Sequence, residues 1–238
     1  DAANKTYVDT AISGSSSSGA EFVASGTLPN GVPVILNVDG TVEAVTMAGT
    51  PANINAGSAQ HAHYTVKNSN VAFDPNNANK FVMSYATGYV NAVVGTISGT
   101  SITFGTSVQL GQGWDTNLAF DPTTPNRFVV VSGSGSNGRA FVCDISGTTI
   151  TAGSETVFNS GGIYVPGIAF DPSGTGKFLI SYSSTDTYYG RVIQGTIVGN
   201  TTTFSTPVVF TSHNTFHVRI GFDGGNSGKF ILTYLAAN

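Results

Sequence analysis

Four histidines are the side chains of this 238-residue chain that are best suited to hold a metal ion, and they fall in two short segments. His61 and His63 form an H-x-H pair, and His213 lies four residues before His217. Neutral imidazoles are good ligands for zinc or iron. Loop histidines also occur without any metal, as solvated or hydrogen-bonded groups, and the sequence leaves both interpretations open. We predict no bound cofactor.

Carboxylates are the other groups that could do chemistry, and one set of them recurs in a single phrase. The stretches VAFDP, LAFDP, IAFDP and IGFDG contain Asp74, Asp121, Asp171 and Asp223. A calcium site would need alternating carboxylates, which these loops lack. An Asp before Pro or Gly in a tight turn instead accepts hydrogen bonds from backbone N–H groups. We therefore predict turn aspartates rather than metal ligands.

The remaining carboxylates give little support to catalysis. They are Glu21, Glu43, Asp115, Asp144, Glu155 and Asp186. They include no short-range pair of the kind that acid–base hydrolysis uses, although distant residues can still pair in space. The chain also lacks the G-x-S-x-G, H-E-x-x-H and P-loop motifs and a sialidase-like S-x-D-x-G-x-T-W box. The sequence predicts a protein that is not an enzyme.

Aromatic residues beside polar side chains form a third group, and such groups suit the faces of sugars or the hot spots of protein interfaces. Trp114 is the only tryptophan, and GQGWDTN around it has the small and polar residues of an exposed loop. The candidate binding residues are Tyr64, Tyr89, Trp114, Asp115, Tyr164, Asp186, Tyr188, Tyr189 and Phe216.

The elements that must position these residues are repeats. The recurring phrase places a phenylalanine at intervals of 47, 50 and 52 residues, at Phe73, Phe120, Phe170 and Phe222. A period of roughly fifty residues without helical patterns predicts the blades of a β-propeller or the coils of a β-solenoid. Each repeat contains a short apolar strand, an Asp turn, a second strand such as FVMSY, and a hairpin with Gly at its turn. The second strands begin with residues that we place in the core, Phe81, Phe128, Phe178 and Phe230.

The fourth repeat ends at Asn238 after its second strand, without a hairpin of its own. Residues 33–46, PVILNVDGTVEAVT, have the same hairpin character, with Asp39 and Gly40 at the turn. A ring that takes two strands of its last blade from each end of the chain leaves no exposed sheet edge. We predict an all-β, four-bladed β-propeller closed in this way, with EFVAS at 21–25 as a candidate further strand.

The predicted domains are a short helix at 1–12, a Ser/Gly linker at 13–20 and a propeller head at 21–238. The repeats of the head lie near 64–110, 111–158, 159–210 and 211–238, completed by 33–46. In up-and-down blades, the loops after the second strand and those before the first strand emerge on one face. That face carries the candidate binding residues. The alternative is that one ring per blade fills the space between neighbouring blades.

Composition bears on partners. The formal net charge is −4 and the nine Lys and Arg are scattered, so no nucleic-acid surface is predicted. No apolar run approaches the roughly eighteen residues that a membrane-spanning helix needs, so no membrane insertion is predicted. Cys143 is the single cysteine, and we predict that it is a small side chain of the core.

The opening segment, DAANKTYVDTAISG, has the spacing of a short amphipathic helix. Tyr7 and Ala11 form one i, i+4 pair and Val8 and Ile12 form another. So short a helix is marginal alone, and self-association would stabilise it. The alternative is an added linker, SGSSSSG, behind a frayed terminus.

This segment is similar to short segments of the tail fibres of tailed bacteriophages, in which a K-x-Y-V-D-x-A-I phrase forms a helix and marks trimeric stalks. The matching residues are Lys5, Tyr7, Val8, Asp9, Ala11 and Ile12. The stretch ASGTLPNGVPVILNVDGTVEAV at 24–45 and the repeats of the form AFDP…KFVMSY…VVGTISGTSITFGTSV resemble virion appendage proteins of phages, marine ones especially. Together these resemblances cover nearly the whole chain.

The resemblance implies a non-enzymatic, homotrimeric appendage on the virion surface. Its head would bind a glycan or protein of the host cell surface or cover the virion, and its N-terminus would contact other virion proteins. The H-x-H pair resembles the iron-binding motif of some long-tail-fibre tips, which have a different fold. Two alternatives stay open: a sugar-binding β-propeller lectin that is not part of a virion, and an appendage that degrades polysaccharide.

Overall fold

The computed structural model describes residues 23–24, 26–28, 34–37, 39–44, 66–174, 176–225 and 228–237. Every helix or strand assigned among them is a β-strand, which confirms the all-β class. The helix predicted at 1–12 and the linker predicted at 13–20 lie outside the described residues. The chain divides into two compact units, 1–55 and 56–238. Within the described ranges no helix could cross a membrane.

The first unit contains a three-stranded sheet of β1 (Val23–Ala24), β2 (Val34–Leu36) and β3 (Thr41–Ala44). β2 and β3 form an antiparallel hairpin, and β1 runs parallel to β3. At the turn, the carboxylate of Asp39 accepts hydrogen bonds from the N–H and the hydroxyl of Thr41. Gly40 has a φ of +82°, a conformation that favours glycine. The hairpin predicted at 33–46 is confirmed, and the candidate strand at 21–25 is β1.

The second unit contains the repeats as antiparallel sheets. The first sheet consists of β4 (Asn68–Phe73), β5 (Lys80–Ala86), β6 (Gly88–Ser98), β7 (Ser101–Phe104) and β8 (Val108–Gly113). The second sheet consists of β9 (Asp115–Phe120), β10 (Arg127–Gly133), β11 (Gly138–Ser146), β12 (Thr149–Ala152) and β13 (Thr156–Asn159). The third sheet consists of β14 (Ile163–Phe170), β15 (Lys177–Ser184), β16 (Tyr189–Val198), β17 (Thr201–Phe204), β18 (Val208–Phe222) and β19 (Phe230–Ala237). The N-terminal half of β18 pairs with β16, and its C-terminal half pairs with β19.

The outermost strand of each repeat is broken in two, which differs from the single fourth strand that we predicted. β7 and β8 both pair with β6, and β12 and β13 both pair with β11. Gly105 and Gly153 lie in these breaks, and a Cβ on either would overlap the backbone of the following sheet's hairpin turn, at Thr148 and Asn200 respectively. The break therefore makes room for the turn of the next sheet.

The Asp turns have the predicted chemistry. The carboxylates of Asp74, Asp121 and Asp171 each accept a backbone N–H two residues later, at 2.9 Å. The hydrogen bonds from Ser173, first of all from its backbone N–H, lower the pKa of Asp171. These bonds confirm that the three aspartates shape turns.

The sheets pack face to face, as the layers of a β-sandwich do. Successive residues of a strand point to opposite faces, so Phe128 and Val130 of β10 pack in a core with the first sheet. Val129 and Val131 pack in a second core with the third sheet. Cys143 is fully buried in the first core, as predicted, and burial raises the pKa of its thiol to about 12.

The two end faces lack this cover among the described residues. Phe73 is 60% exposed, whereas its equivalent Phe120 in the second sheet is 8% exposed. At the other end Ile231 is 72% exposed, whereas its equivalent Val129 is fully buried. Exposed apolar surface of this kind marks a place where a neighbour packs.

The prediction of a core phenylalanine is confirmed for Phe81, Phe128 and Phe178, which are buried, and wrong for Phe230, which is exposed. The physical reason is the third strand of each sheet, which lies beside the second strand and helps to cover its first phenylalanine. Phe81 and Phe178 each have a residue of their own third strand opposite them, whereas the pair described for β19 is with β18 alone. Within the described residues, β2 pairs with β3 and β19 pairs with β18. The predicted pairing of 33–38 with 229–234 stays a prediction.

Packing of hairpin turns against the preceding sheet predicts a large effect of a single methyl group. We expect Gly153→Ala to lower the free energy of unfolding by about 1–3 kcal/mol, because the added Cβ overlaps backbone that cannot rotate away. The control is Gly221→Ala, where a Cβ would meet nothing within 4 Å. Urea unfolding measures both variants, and equal stability of the two would contradict the tight contact between the second and third sheets.

Candidate functional site

The loops that follow the second strands and those that precede the first strands come together at one end of the sheets, which we call the loop end. Backbone hydrogen bonds of 2.9 Å join them, from Trp114 N–H to Gly133, from Thr185 N–H to Gly162 and from Thr215 N–H to Tyr188. The described candidate binding residues lie in or beside these loops. The arrangement agrees with the face predicted from the strand order.

Three candidate rings, Tyr164, Tyr188 and Phe216, form a group that we call the aromatic cluster. The rings of Tyr164 and Tyr188 are nearly parallel, with an interplanar angle of 11° and centroids 6.0 Å apart. Phe216 is tilted by 47° against Tyr188 at 6.3 Å. Tyr164 is 40% exposed, so its ring is not a buried plug. Within the third sheet, the aromatic cluster joins β14 and the loop before β16 to β18 at the surface.

The backbone beside the aromatic cluster is strained. Val165, Tyr188 and His217 have φ values of 39°, 59° and 52°, which residues other than glycine rarely adopt and β-branched residues adopt least. The register of the strands also shifts between Tyr164 and Gly167 and between Phe216 and Arg219. Bulges re-aim side chains, and strained backbone concentrates at functional sites. Both devices occur at the residues that carry the rings.

Asp115 supports this geometry from the second sheet. Its Oδ2 accepts a hydrogen bond from the backbone N–H of the strained Val165, and its Oδ1 accepts one from the amide of Asn68, both at 3.1 Å. One carboxylate therefore connects all three sheets. Its predicted direct part in binding stays a prediction, whereas the observed contacts are internal.

Trp114 lies between β8 and β9 and is 57% exposed. The Nζ atom of Lys67 lies over its ring, 5.9 Å from the ring centroid, within the range of a cation–π interaction. Tyr89 is also exposed, and it pairs with Gln112 beside this junction.

Sequence reasoning missed Lys67, although a signal was available. Trp114, Tyr164 and Phe216 each lie six residues before the recurring Phe of their repeat. The same position in the first repeat is Lys67, not the more distant Tyr64 that we chose for its ring. The first repeat thus contributes a cation where the others contribute rings.

Asp186 and Tyr189 flank the aromatic cluster. Asp186 lies in the loop of Tyr188, where its carboxylate accepts the backbone N–H of Thr187 at 2.9 Å. It also pairs with Arg191 at 3.4 Å. A hydrogen bond with the side chain of Ser184, followed by the charge of Arg191, lowers the pKa of Asp186. Tyr189 begins β16 and is partly buried opposite Asn214.

The histidine hypothesis rests only in part on described residues. His213 and His217 are exposed, and Nδ1 of His213 lies 3.3 Å from the hydroxyl of Thr211. His61, His63 and Tyr64 lie outside the described residues. In the described part of the chain no three His, Cys, Asp or Glu side chains gather as a metal site. A metal held by both histidine segments stays a prediction.

The carboxylates of the sheet edges serve packing. Arg127 binds both oxygens of Asp144, at 2.8 and 2.9 Å, and also donates to the carbonyl of Gly199 in the next sheet. Arg139 is buried and pairs with Glu155 at 3.0 Å. These groups are held by ion pairs within the second sheet and by a hydrogen bond from Arg127 to the third sheet.

Comparison with known proteins gives little further information. No protein-family model matches the chain, and no curated protein matches it. Solved structures of an exo-β-1,3-galactanase from Phanerochaete chrysosporium, with galactose and with β-1,3-galactotriose, are similar at 15% identity and a TM-score of 0.44. The match covers 59% of this chain and 35% of the galactanase chain.

The bridging position of Asp115 predicts that its loss disturbs the loop end. Asp115→Ala removes the partners of two hydrogen bonds, and we expect the free energy of unfolding to fall by about 1–3 kcal/mol. The control is Asp186→Ala, which removes an exposed pair and should cost less than about 1 kcal/mol. Urea unfolding gives the free energies of unfolding. In an NMR spectrum of the backbone amides, the signal of the Val165 N–H reports its environment. An unchanged Val165 signal in Asp115→Ala would contradict the supporting contact.

Proposed function

We propose that this protein is a non-enzymatic, homotrimeric appendage on the surface of a bacteriophage virion, and that its loop end binds a glycan or protein of the host cell surface. The observation that carries the binding proposal is the set of exposed rings at one end of the sheets, formed by the aromatic cluster and Trp114. Rigid aromatic rings supply much contact area at little entropic cost, and they dominate binding hot spots.

The resemblance of the opening segment and of the repeats to phage appendage proteins supports the virion setting. Assembly through residues 1–12, and contact with other virion proteins through the N-terminus, belong to the same proposal. The non-enzymatic character is supported by the engagement of the carboxylates in turns and ion pairs, as in Asp74, Asp144 and Glu155. The alternative of a free lectin would use the same rings. Turnover of capsule or lipopolysaccharide by the pure protein would instead favour a degrading appendage.

We also propose that the sheets are blades of a four-bladed propeller. Two features support this architecture. A first-strand Asn donates to the backbone of the next first strand at successive steps, from Asn70 to Thr116 at 3.5 Å and from Asn117 to Pro166 at 3.2 Å. The end faces, at Phe73 and Ile231, are apolar and exposed, so joining them through a completed fourth blade would cover both.

Binding by the loop end predicts a separation of affinity from stability. We expect Trp114→Ala and Tyr188→Ala to weaken attachment to host cells by about 30-fold, the equivalent of about 2 kcal/mol for a hot-spot ring. Their melting temperatures should change little, because Trp114 is 57% exposed and Tyr188 is 38% exposed. Val198→Ala, at an exposed apolar residue beside the hairpin turn at the opposite end, is the control. Full attachment combined with a large loss of stability would move the contact surface elsewhere.

Closure of the ring predicts a specific cross-link. Aligning the turn glycines Gly40 and Gly99 makes Leu36 the equivalent of Gly95, which lies opposite Phe81, and so places Leu36 opposite Phe230. The double variant Leu36→Cys/Phe230→Cys should form a disulfide within one chain on mild oxidation, since opposed strand residues have suitable Cβ separations. Glu43→Cys/Phe230→Cys is the control. Non-reducing electrophoresis and mass spectrometry read the result, and a failure to cross-link would refute the closure.

A further inference from the structure

Lys67 and Trp114 form a fixed pair at the loop end, at the junction of the first and second sheets. The N–H of Lys67 donates to the carbonyl of Ala86, and the N–H of Trp114 donates to the carbonyl of Gly133, both at 2.9 Å. Each residue is therefore tied to the second strand of its own sheet. The two Cα positions are fixed, and both side chains are exposed.

The ammonium group of Lys67 is available to a ligand. Arg127, Arg139 and Arg191 make ion pairs with Asp144, Glu155 and Asp186. Asp115, the residue next to Trp114, uses both carboxylate oxygens on Asn68 and Val165. Among the described residues, the Lys67 ammonium lies over the face of the Trp114 ring, within the range of a cation–π interaction.

The ammonium of Lys67 lies over the Trp114 ring without touching it. At 5.9 Å from the ring centroid, the Nζ atom lies beyond the separation of roughly 4 Å at which two groups touch. A flat ring stacked on this face of the indole fills that space, so the flexible stem of Lys67 has to move the ammonium to the edge of the ring, where it meets an acidic substituent. An aromatic ring alone binds the apolar face of a ligand. The Lys67–Trp114 pair offers in addition a positive charge for an anionic group at the edge of that ligand.

We propose that Lys67 and Trp114 bind a pyranose ring that carries an acid group, the sugar face against the indole and the carboxylate on the ammonium. This inference rests on the proposed binding of a surface glycan and names its chemical class. A carboxylate forms a charge-assisted hydrogen bond with the ammonium, which is about twice as strong as one between neutral groups. A neutral sugar of the same shape uses the indole alone.

The test compares matched polysaccharides. Alginate, polygalacturonate and hyaluronate are immobilised beside their carboxyl-reduced forms, in which each uronic acid has become the neutral hexose. We expect the intact protein to bind at least one acidic polymer about tenfold more tightly than its neutral form, as a charged hydrogen bond implies. The difference should shrink as salt rises, because the interaction is exposed to screening.

Two variants separate charge from stacking. Lys67→Met keeps the apolar stem over the indole and should lose the preference for the acid while binding the neutral form as before. Lys177→Met makes the same change of net charge at an exposed residue next to an Asp turn and should keep the preference. Trp114→Ala should lose both ligands.

Equal binding of acidic and neutral polymers by the intact protein overturns the acid-sugar inference. So does an equal effect of Lys67→Met on both forms, or binding to none of the six polymers. The proposed function fails by a different result, namely full attachment to host cells by Trp114→Ala and Tyr188→Ala.

Discussion

The sheets of the second unit carry apolar residues on both faces, so such a sheet is stable only with a neighbour on either side. β10 shows the constraint most clearly, because its alternate residues enter two different cores. A single sheet with one wet face could end with polar residues, whereas these sheets cannot. The order of the sheets along the chain, the fit of each hairpin turn against the sheet before it, and the exposed apolar surface at both ends follow from this requirement.

The same packing of the sheets fixes the positions of the residues at the loop end. The residue six positions before a recurring Phe lies beside a loop of a neighbouring repeat, as in Lys67 over Trp114 and Phe216 against Tyr188. Asp115 reaches the sheets on both sides. The strain at Val165 persists because the surrounding contacts fix its backbone more strongly than its own preference does. The binding surface is thus built from positions that are distant in sequence but equivalent in the repeat.

Local sequence patterns predicted the features that depend on contacts within one repeat. The hairpin at Gly40 and the turn at Asp74 each depend on neighbours close in sequence, and each was predictable. The break at Gly105 depends on the hairpin turn of the adjoining sheet, and the exposure of Phe230 depends on the strand that flanks β19. No local pattern encodes either. Val165 is the clearest case, because a residue before proline favours extended backbone and the structure has φ at 39°. At the site, rings were visible in the sequence, whereas the cation of Lys67 and the internal bonds of Asp115 were not.

The contiguity of the sheets has a consequence for synthesis of the protein. The first sheet is complete once residues 68–113 have left the ribosome, and its core with the second sheet needs residues 115–159. At about 5–20 residues per second, this next stretch takes roughly 2 to 9 s to appear. During that interval an apolar face of a finished sheet stays open to other nascent chains, and each new sheet repeats the exposure one step further along. Slow translation of the segment that forms the next sheet therefore lengthens the time during which the exposed face depends on chaperones.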